Sequence, residues 1–256
     1  MEYKRYLKIF SSQSDYESQK DSVMGIPHVV LFDDTKELLY ASESETPNDP
    51  FNGHEYVDLG LPSGTLWATK VVGGDNPLYF QWGDIEGWTA EQINNGEKAF
   101  DYYGSDYKWN EGELTCDGSS MTKYNATDGK TVLDLEDDAV HVHMGGDWHM
   151  PTKEQWEELK ANTTSKWTTQ NGVNGRLFTA SNGKSVFVPA FGHANVGSLS
   201  RVGSSGYVWS SSVNEDYLGS AWNLGFDLAN VYMSSYKYRT YGHCVLGVVG
   251  ENLSSQ

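Results

Sequence analysis

The chain has little with which to cross-link itself, grip a polyanion or enter a bilayer. Its 256 residues include two cysteines, Cys116 and Cys244, which excludes a disulfide framework and leaves one bridge at most. Eighteen Lys and Arg stand against 35 Asp and Glu, a formal charge of −17, whereas phosphate partners are captured by clustered cations. Nucleic acid and anionic membrane surfaces are therefore not expected as partners. No run of about 18 apolar residues is available to span a membrane, so no membrane insertion is expected. The opening MEYKRYLKIFSSQSDYESQK lacks the apolar run and small-residue cleavage site of a secretory signal. Sustained 3.6-residue periods are scarce, which argues against long helices.

Glycine (27) and aromatic residues (13%) are abundant, the composition of an irregular, loop-rich β or α+β protein. The length suits one substantial domain with something small beside it. Residues 1–45 read as that small module. Ser14 and Glu17 form a capping-box pattern for a short helix over 15–21, and the runs HVVLF and ELLYAS around residues 33–36 read as a hairpin. So small a unit buries too little apolar surface to stand alone, so it is expected to pack against the main domain or against copies of itself, as an attachment or oligomerisation module. Residues 46–54, polar with two prolines and a glycine from 43 on, read as a linker. The main domain is expected over 55–251.

Within it, MPTKEQWEELKAN is the clearest helix. Thr152 and Gln155 cap it, and Trp156 and Leu159 share one face. The stretch GRLFTASNGKSVFVPAFG reads as two strands around a turn at residues 181–184. From LYFQWGD at residue 78 to MTKYN at 125, aromatic residues follow no period, as in packed loops.

Alternation returns near the C-terminus. Trp222, Leu224, Phe226 and Leu228 fall on one face of an extended strand, and Asn223, Gly225 and Asp227 on the other. After a turn at residues 228–230, Val231 and Met233 read as inward, while Tyr232, Ser234, Tyr236 and Tyr238 have the opposite parity. Six of the 16 tyrosines lie between Tyr207 and Tyr241, where an even spread gives about two. Tyr, Ser, Asn and Gly also dominate antibody paratopes, because Tyr gives large contact area at low entropy cost and Ser and Asn give adaptable hydrogen bonds. The candidate ligand-binding residues are Tyr217, Asn223, Asp227, Tyr232, Ser234, Tyr236, Tyr238 and Tyr241.

The series EYVDLGLPSGTLWAT at 55–69, YFQWGD at 79–84, TVLDLEDDAV at 131–140, GGDWHMPTKEQWEEL at 145–159, WTTQNGVNGRLF at 167–178 and VGSSGYVWSSS at 202–212 resembles one family. It is similar to the C-type-lectin-like domains of gut bacterial and phage proteins, including the variable proteins of diversity-generating retroelements. The resemblance implies an α+β, C-type-lectin-like fold with few regular elements and long loops, and a diversified C-terminal segment over about 208–244. It also implies a non-enzymatic receptor-binding adhesin on a virion or bacterial cell surface, whose partner is a host-surface protein or glycan, with a homo-oligomer through the N-terminal module as one assembly. No cofactor is expected. This chain has CVLGVV where family members often finish in a VRPV-like strand.

Other chemistries have candidate residues. The formylglycine-generating enzymes, which share that family's general fold, use a cysteine pair, but nothing around Cys116 or Cys244 resembles a reactive-thiol motif. His141 and His143, read as strand neighbours, with His149 nearby, offer imidazoles without a third ligand fixed by spacing. Asp134, Glu136, Asp137 and Asp138 offer oxygen ligands for Ca²⁺, so a calcium-dependent carbohydrate-binding lectin domain is the alternative reading.

Overall fold

A computed structural model describes residues 6–10, 28–32, 38–39, 51–112 and 118–250. The chain divides into two compact units, Met1–Asp49 and Pro50–Gln256. In the first, β1 (Tyr6–Phe10) pairs parallel to β2 (His28–Phe32), and β2 pairs antiparallel to β3 (Leu38–Leu39), with Leu31 opposite Leu38. The helix expected over residues 15–21 lies outside the described residues.

The second unit overturns the expected α+β, C-type-lectin-like class. Of the described residues, 40% lie in strands and 12% in helices. Three α-helices occur among the described residues, α1 (Ala90–Asn94), α2 (Ala139–Met144) and α3 (Lys153–Asn162). The protein is predominantly β, in several small antiparallel sheets. The reason is local. Only α3 has enough amphipathic sequence for more than two turns, and the other two helices are five and six residues long.

Helix α3 forms where its capping box requires. Thr152 Oγ1 accepts from Gln155 N at 3.2 Å, and Gln155 Oε1 accepts from Thr152 N at 2.9 Å. Trp156 and Leu159 are fully buried on its inner face. Next in the chain, β8 (Thr163–Gln170), β9 (Val173–Ala180) and β10 (Ser185–Pro189) form one antiparallel sheet, with the β9–β10 turn at residues 181–184.

A second sheet joins distant parts of the chain in the order β16-β5-β4, from β4 (Tyr56–Asp58), β5 (Leu66–Val71) and β16 (Leu246–Val249). Helix α2 packs on it where Gly247 leaves no side chain, so that Trp148, Met144 and Val140 approach the backbone closely. Phe51 stacks on Tyr56 at 4.1 Å, and its carbonyl accepts the Trp148 indole N–H at 2.7 Å. Short pairs complete the unit: β6 (Leu78–Tyr79) with β7 (Trp88–Thr89), and β11 (His193–Asn195) with β12 (Ser198–Ser200).

The sheet that positions the candidate site runs β13-β14-β15, from β13 (Ser205–Val213), β14 (Ser220–Asp227) and β15 (Val231–Tyr238). Every residue of β13 is buried. One core cluster gathers Trp67, Trp82, Trp148, Trp156, Trp209, Leu224 and Phe226. Each large side chain so buried contributes roughly 1.5–3 kcal/mol. Two indole N–H groups bond within it, from Trp82 to Ser210 O at 2.8 Å and from Trp209 to Phe80 O at 2.9 Å, while that of Trp67 is buried without a partner.

Candidate functional site

The register of the β13-β14-β15 sheet decides which side chains share a face. Leu224 pairs with Val208 and Met233, and Phe226 with Gly206 and Val231. These line the core face. On the other face Gly225 pairs with Tyr207 and Tyr232, and Asn223 with Trp209 and Ser234. Glycine is required at two of these positions by close approach, since the Phe226 ring lies on Gly206 and the Tyr232 ring on Gly225.

The second face is covered as well, and this corrects the reading of Asn223 as a displayed residue. Asn223 is fully buried beside Trp209, with its Nδ2 donating to Ser234 O at 3.1 Å. Six of the eight residues of β14 are buried, on both parities, so alternation separates two covered faces rather than core from solvent. Two residues read as inward also sit elsewhere. Leu228 is exposed in the β14–β15 turn, and Trp222 is half-buried under Lys153, whose Nζ lies 4.2 Å from the ring centre.

Asp227 is tied to that turn. Its carboxylate accepts from Ala229 N and Asn230 N, both at 2.8 Å, and these bonds hold its pKa below the usual carboxylate value. Arg176, buried, donates to the carbonyls of Asp227 and Leu228 from beneath. Ser220, the partner of Tyr238, lies seven residues from Asp227 on one strand, about 23 Å at ~3.3 Å per residue. The eight candidate residues therefore do not form one site.

A β-bulge intervenes between the Ala221–Lys237 and Asn223–Ser234 pairs, where β15 carries one more residue than β14. It ejects Tyr236, the most exposed of these tyrosines at 81%. Tyr217, at the β13–β14 connection, is 51% exposed. Tyr232 reaches the Tyr207 hydroxyl, and burial together with that contact pushes its pKa up to about 12. Ser234 is half-buried.

Tyr238 and Tyr241 come together with their ring centres 6.4 Å apart, and Tyr102 lies 5.0 Å from Tyr238 and 6.3 Å from Tyr241. Tyr103, 67% exposed, flanks Tyr102 at 5.2 Å. Below Tyr241 lie His193, stacked at 5.8 Å, and then His243, itself stacked on Trp209 at 3.9 Å. Tyr207 closes the group, 5.0 Å from His193 and 5.5 Å from His243. Lys237 Nζ sits 5.0 Å from the Tyr207 ring centre and 5.2 Å from that of Tyr241.

Burial first, then Lys237 and Arg201, lowers the His193 pKa to about 4; burial first, then His193 and Lys237, holds that of His243 well below its ordinary value. Both imidazoles are neutral near pH 7. His193 Nδ1, both ring nitrogens of His243 and Asn223 Oδ1 are buried without hydrogen-bond partners, a cost of about 1–3 kcal/mol per group where nothing satisfies it. Sequence reasoning missed Tyr102, Tyr103, His193, Tyr207, Lys237 and His243. Pattern alone carried no signal for the first three, which come from one loop and one short strand.

The other sites weighed from sequence have internal uses. Lys123 Nζ lies 3.2 Å from both Asp134 and Glu136 and bonds Asp137, so an ammonium already fills the acidic cluster. Asp138 caps α2 through Val140 N and His141 N and accepts from Met150 N. His141 and His143 lie on a helix rather than a strand, where i and i+2 point about 200° apart. They bond separately to the carbonyls of Trp148 and Ile85. Cys244 is a buried free thiol whose pKa burial pushes up, so at neutral pH it carries no thiolate. Cys116 lies outside the described residues. Among the described residues no helix is long and apolar enough to cross a membrane. No family model, curated protein or solved structure matches the chain.

Proposed function

We propose that this chain is a non-enzymatic binding protein whose C-terminal sheet and adjoining loops present a recognition surface. The observation that supports the reading is the split within one short segment. Leu224, Phe226 and Trp209 are fully buried, while Tyr236, Tyr232 and Tyr217 are exposed and Tyr238 and Tyr241 form a half-buried group with Tyr102. The frame is thus held by one set of residues and the contact surface supplied by another. Rigid, amphipathic tyrosines bind partners at low entropic cost, and a cluster of them at a surface is a natural place for anchor contacts.

The resemblance in sequence to the variable proteins of diversity-generating retroelements extends the proposal. The displayed positions are those that sister copies exchange, on a virion or bacterial cell surface, against a host-surface protein or glycan, with residues 1–45 as the attachment or oligomerisation module. Asn223 and Asp227 are assigned to the frame. Sequencing the same locus from sibling isolates tests the reading. Adenine-biased substitutions should concentrate at Tyr217, Tyr232, Ser234, Tyr236, Lys237 and Tyr238 and spare Trp209, Leu224 and Phe226. Substitutions that avoid the displayed positions, or fall equally on both sets, overturn it.

A further inference from the structure

The charge around Lys237 runs against that of the chain. In a protein with a net charge of −17, Lys237 has no carboxylate within ion-pair distance among the described residues, and its contacts are the faces of Tyr207 and Tyr241. Exposed Arg201 adds a second positive charge that Lys237, His193 and Tyr232 all feel. Beneath the same two tyrosines, His193 and His243 are nine-tenths buried or more and carry unpartnered ring nitrogens. A half-buried ammonium between two rings, over polar groups that lack partners, is a site short of an anion and of hydrogen-bonding groups.

Resting on the display reading above, we propose that Lys237, Tyr207, Tyr241 and the underlying His193 form a subsite for an acidic sugar, that is, a carboxylate carried on a hydroxylated ring. The carboxylate meets Lys237, where partial burial strengthens the attraction over its value in water. The accessible part of the Tyr241 ring takes the apolar face of the sugar ring, while the buried Tyr207 backs Lys237 from within the sheet. The neutral imidazole of His193 has one donor and one acceptor nitrogen, so a hydroxyl pairs with it where its ring meets the surface, whereas His243, fully buried, lies out of reach. An acidic peptide side chain supplies only acceptors, so it matches the charge but not the imidazole. If Lys237 is exchanged among sister copies, the preference belongs to this copy.

The test titrates the full chain with tetragalacturonate and with sialyllactose, two sources of the same chemistry. Methyl-esterified tetragalacturonate, lactose and an oligoglutamate peptide serve as controls. At least one acidic sugar should bind, with its neutral counterpart about tenfold weaker or worse, and with affinity falling as salt is raised. Lys237→Met should lose about tenfold or more at unchanged melting temperature, a difference of about 1.4 kcal/mol, while Lys237→Arg retains binding. Equal binding of the neutral sugars, wild-type affinity in Lys237→Met, or binding to neither acidic sugar overturns the proposal. Oligoglutamate binding as tightly as the sugars overturns the assignment to a saccharide. Each of these failures leaves the display reading to the sibling sequences, which do not depend on the ligand.

Discussion

Two lysines of one acidic chain have opposite surroundings. Lys123 is ringed by Asp134, Glu136 and Asp137, which together hold its pKa up against the opposing effect of burial. Around it Tyr124 donates its hydroxyl to Asp137 at 2.7 Å, and Arg239, fully buried, donates to the carbonyls of Lys123 and Tyr124. Lys237 is ringed by tyrosines, and burial with Arg201 pulls its pKa down. The first ammonium is used within the fold, where every neighbour is already paired to it. The second keeps its charge available. In a chain with almost two acids for each base, a cation left among aromatic rings is the feature on which the proposed subsite rests.

The largest effect should come from removing the first lysine. Lys123→Met leaves the buried Asp137 carboxylate with Lys108 at 3.4 Å as its remaining cation, and leaves Asp134 and Glu136 repelling it. Breaking a fully buried pair costs about 3–5 kcal/mol. Because Lys123 is partly solvent-accessible, about 2–3 kcal/mol is expected from urea denaturation. A loss below about 0.5 kcal/mol would make the two lysines alike and end the comparison.

Acid should act on the second region. The folded pKa of His193 is lowered to about 4, against about 6.5 in an unfolded chain. Between those values the unfolded chain binds a proton that the folded one refuses, so stability falls as pH falls through the window. One such group contributes at most about 1.4 kcal/mol per pH unit. Melting temperatures taken from pH 6.5 down to 5.5, above the main carboxylate range, should decline, and His193→Gln should lessen the decline, leaving the part that belongs to His243. Lys237→Met removes one of the charges that depress His193, so it should raise that pKa and narrow the window. That shift moves the lower edge of the window, below pH 5.5, so it is read from the His193 ring resonances titrated toward acid, and an unchanged midpoint in Lys237→Met would show that Lys237 does not act on the imidazole.

How much of this could be read in the sequence follows from what each element depends on. Helix α3 was legible because its cap and its buried Trp156 and Leu159 are neighbours in sequence, and the β9–β10 hairpin because its turn is local. The candidate surface was legible in part. Tyr236 and Tyr217 are exposed as their residue types suggested, but Asn223 is buried, because parity tells one face from the other and not which face meets water. Both faces of β14 are covered, and the cover comes from Tyr207, Trp209 and His243, whose approach depends on tertiary pairing such as the Val208–Cys244 bridge. The bulge that ejects Tyr236 likewise depends on how β15 registers against β14. The fold class was misjudged because a resemblance in motifs was extended to the balance of helix and strand, while helical periodicity itself was confined to one stretch of ten residues.

The smallest expected effect is the most discriminating. Lys237→Met keeps the length and the apolar stem that lies along Tyr207 and Tyr241, and it loses two cation–π contacts worth about 0.5–1 kcal/mol each at accessible sites. It also removes the cost of a half-buried charge and the repulsion from Arg201, which act in the opposite direction. With no carboxylate left unpaired by the change, the sum should fall within about 0.5 kcal/mol of zero, read as an unchanged urea midpoint and slope. A loss above about 1 kcal/mol would mean that Lys237 is held by the fold as Lys123 is, and its charge would then be structural rather than offered to a ligand.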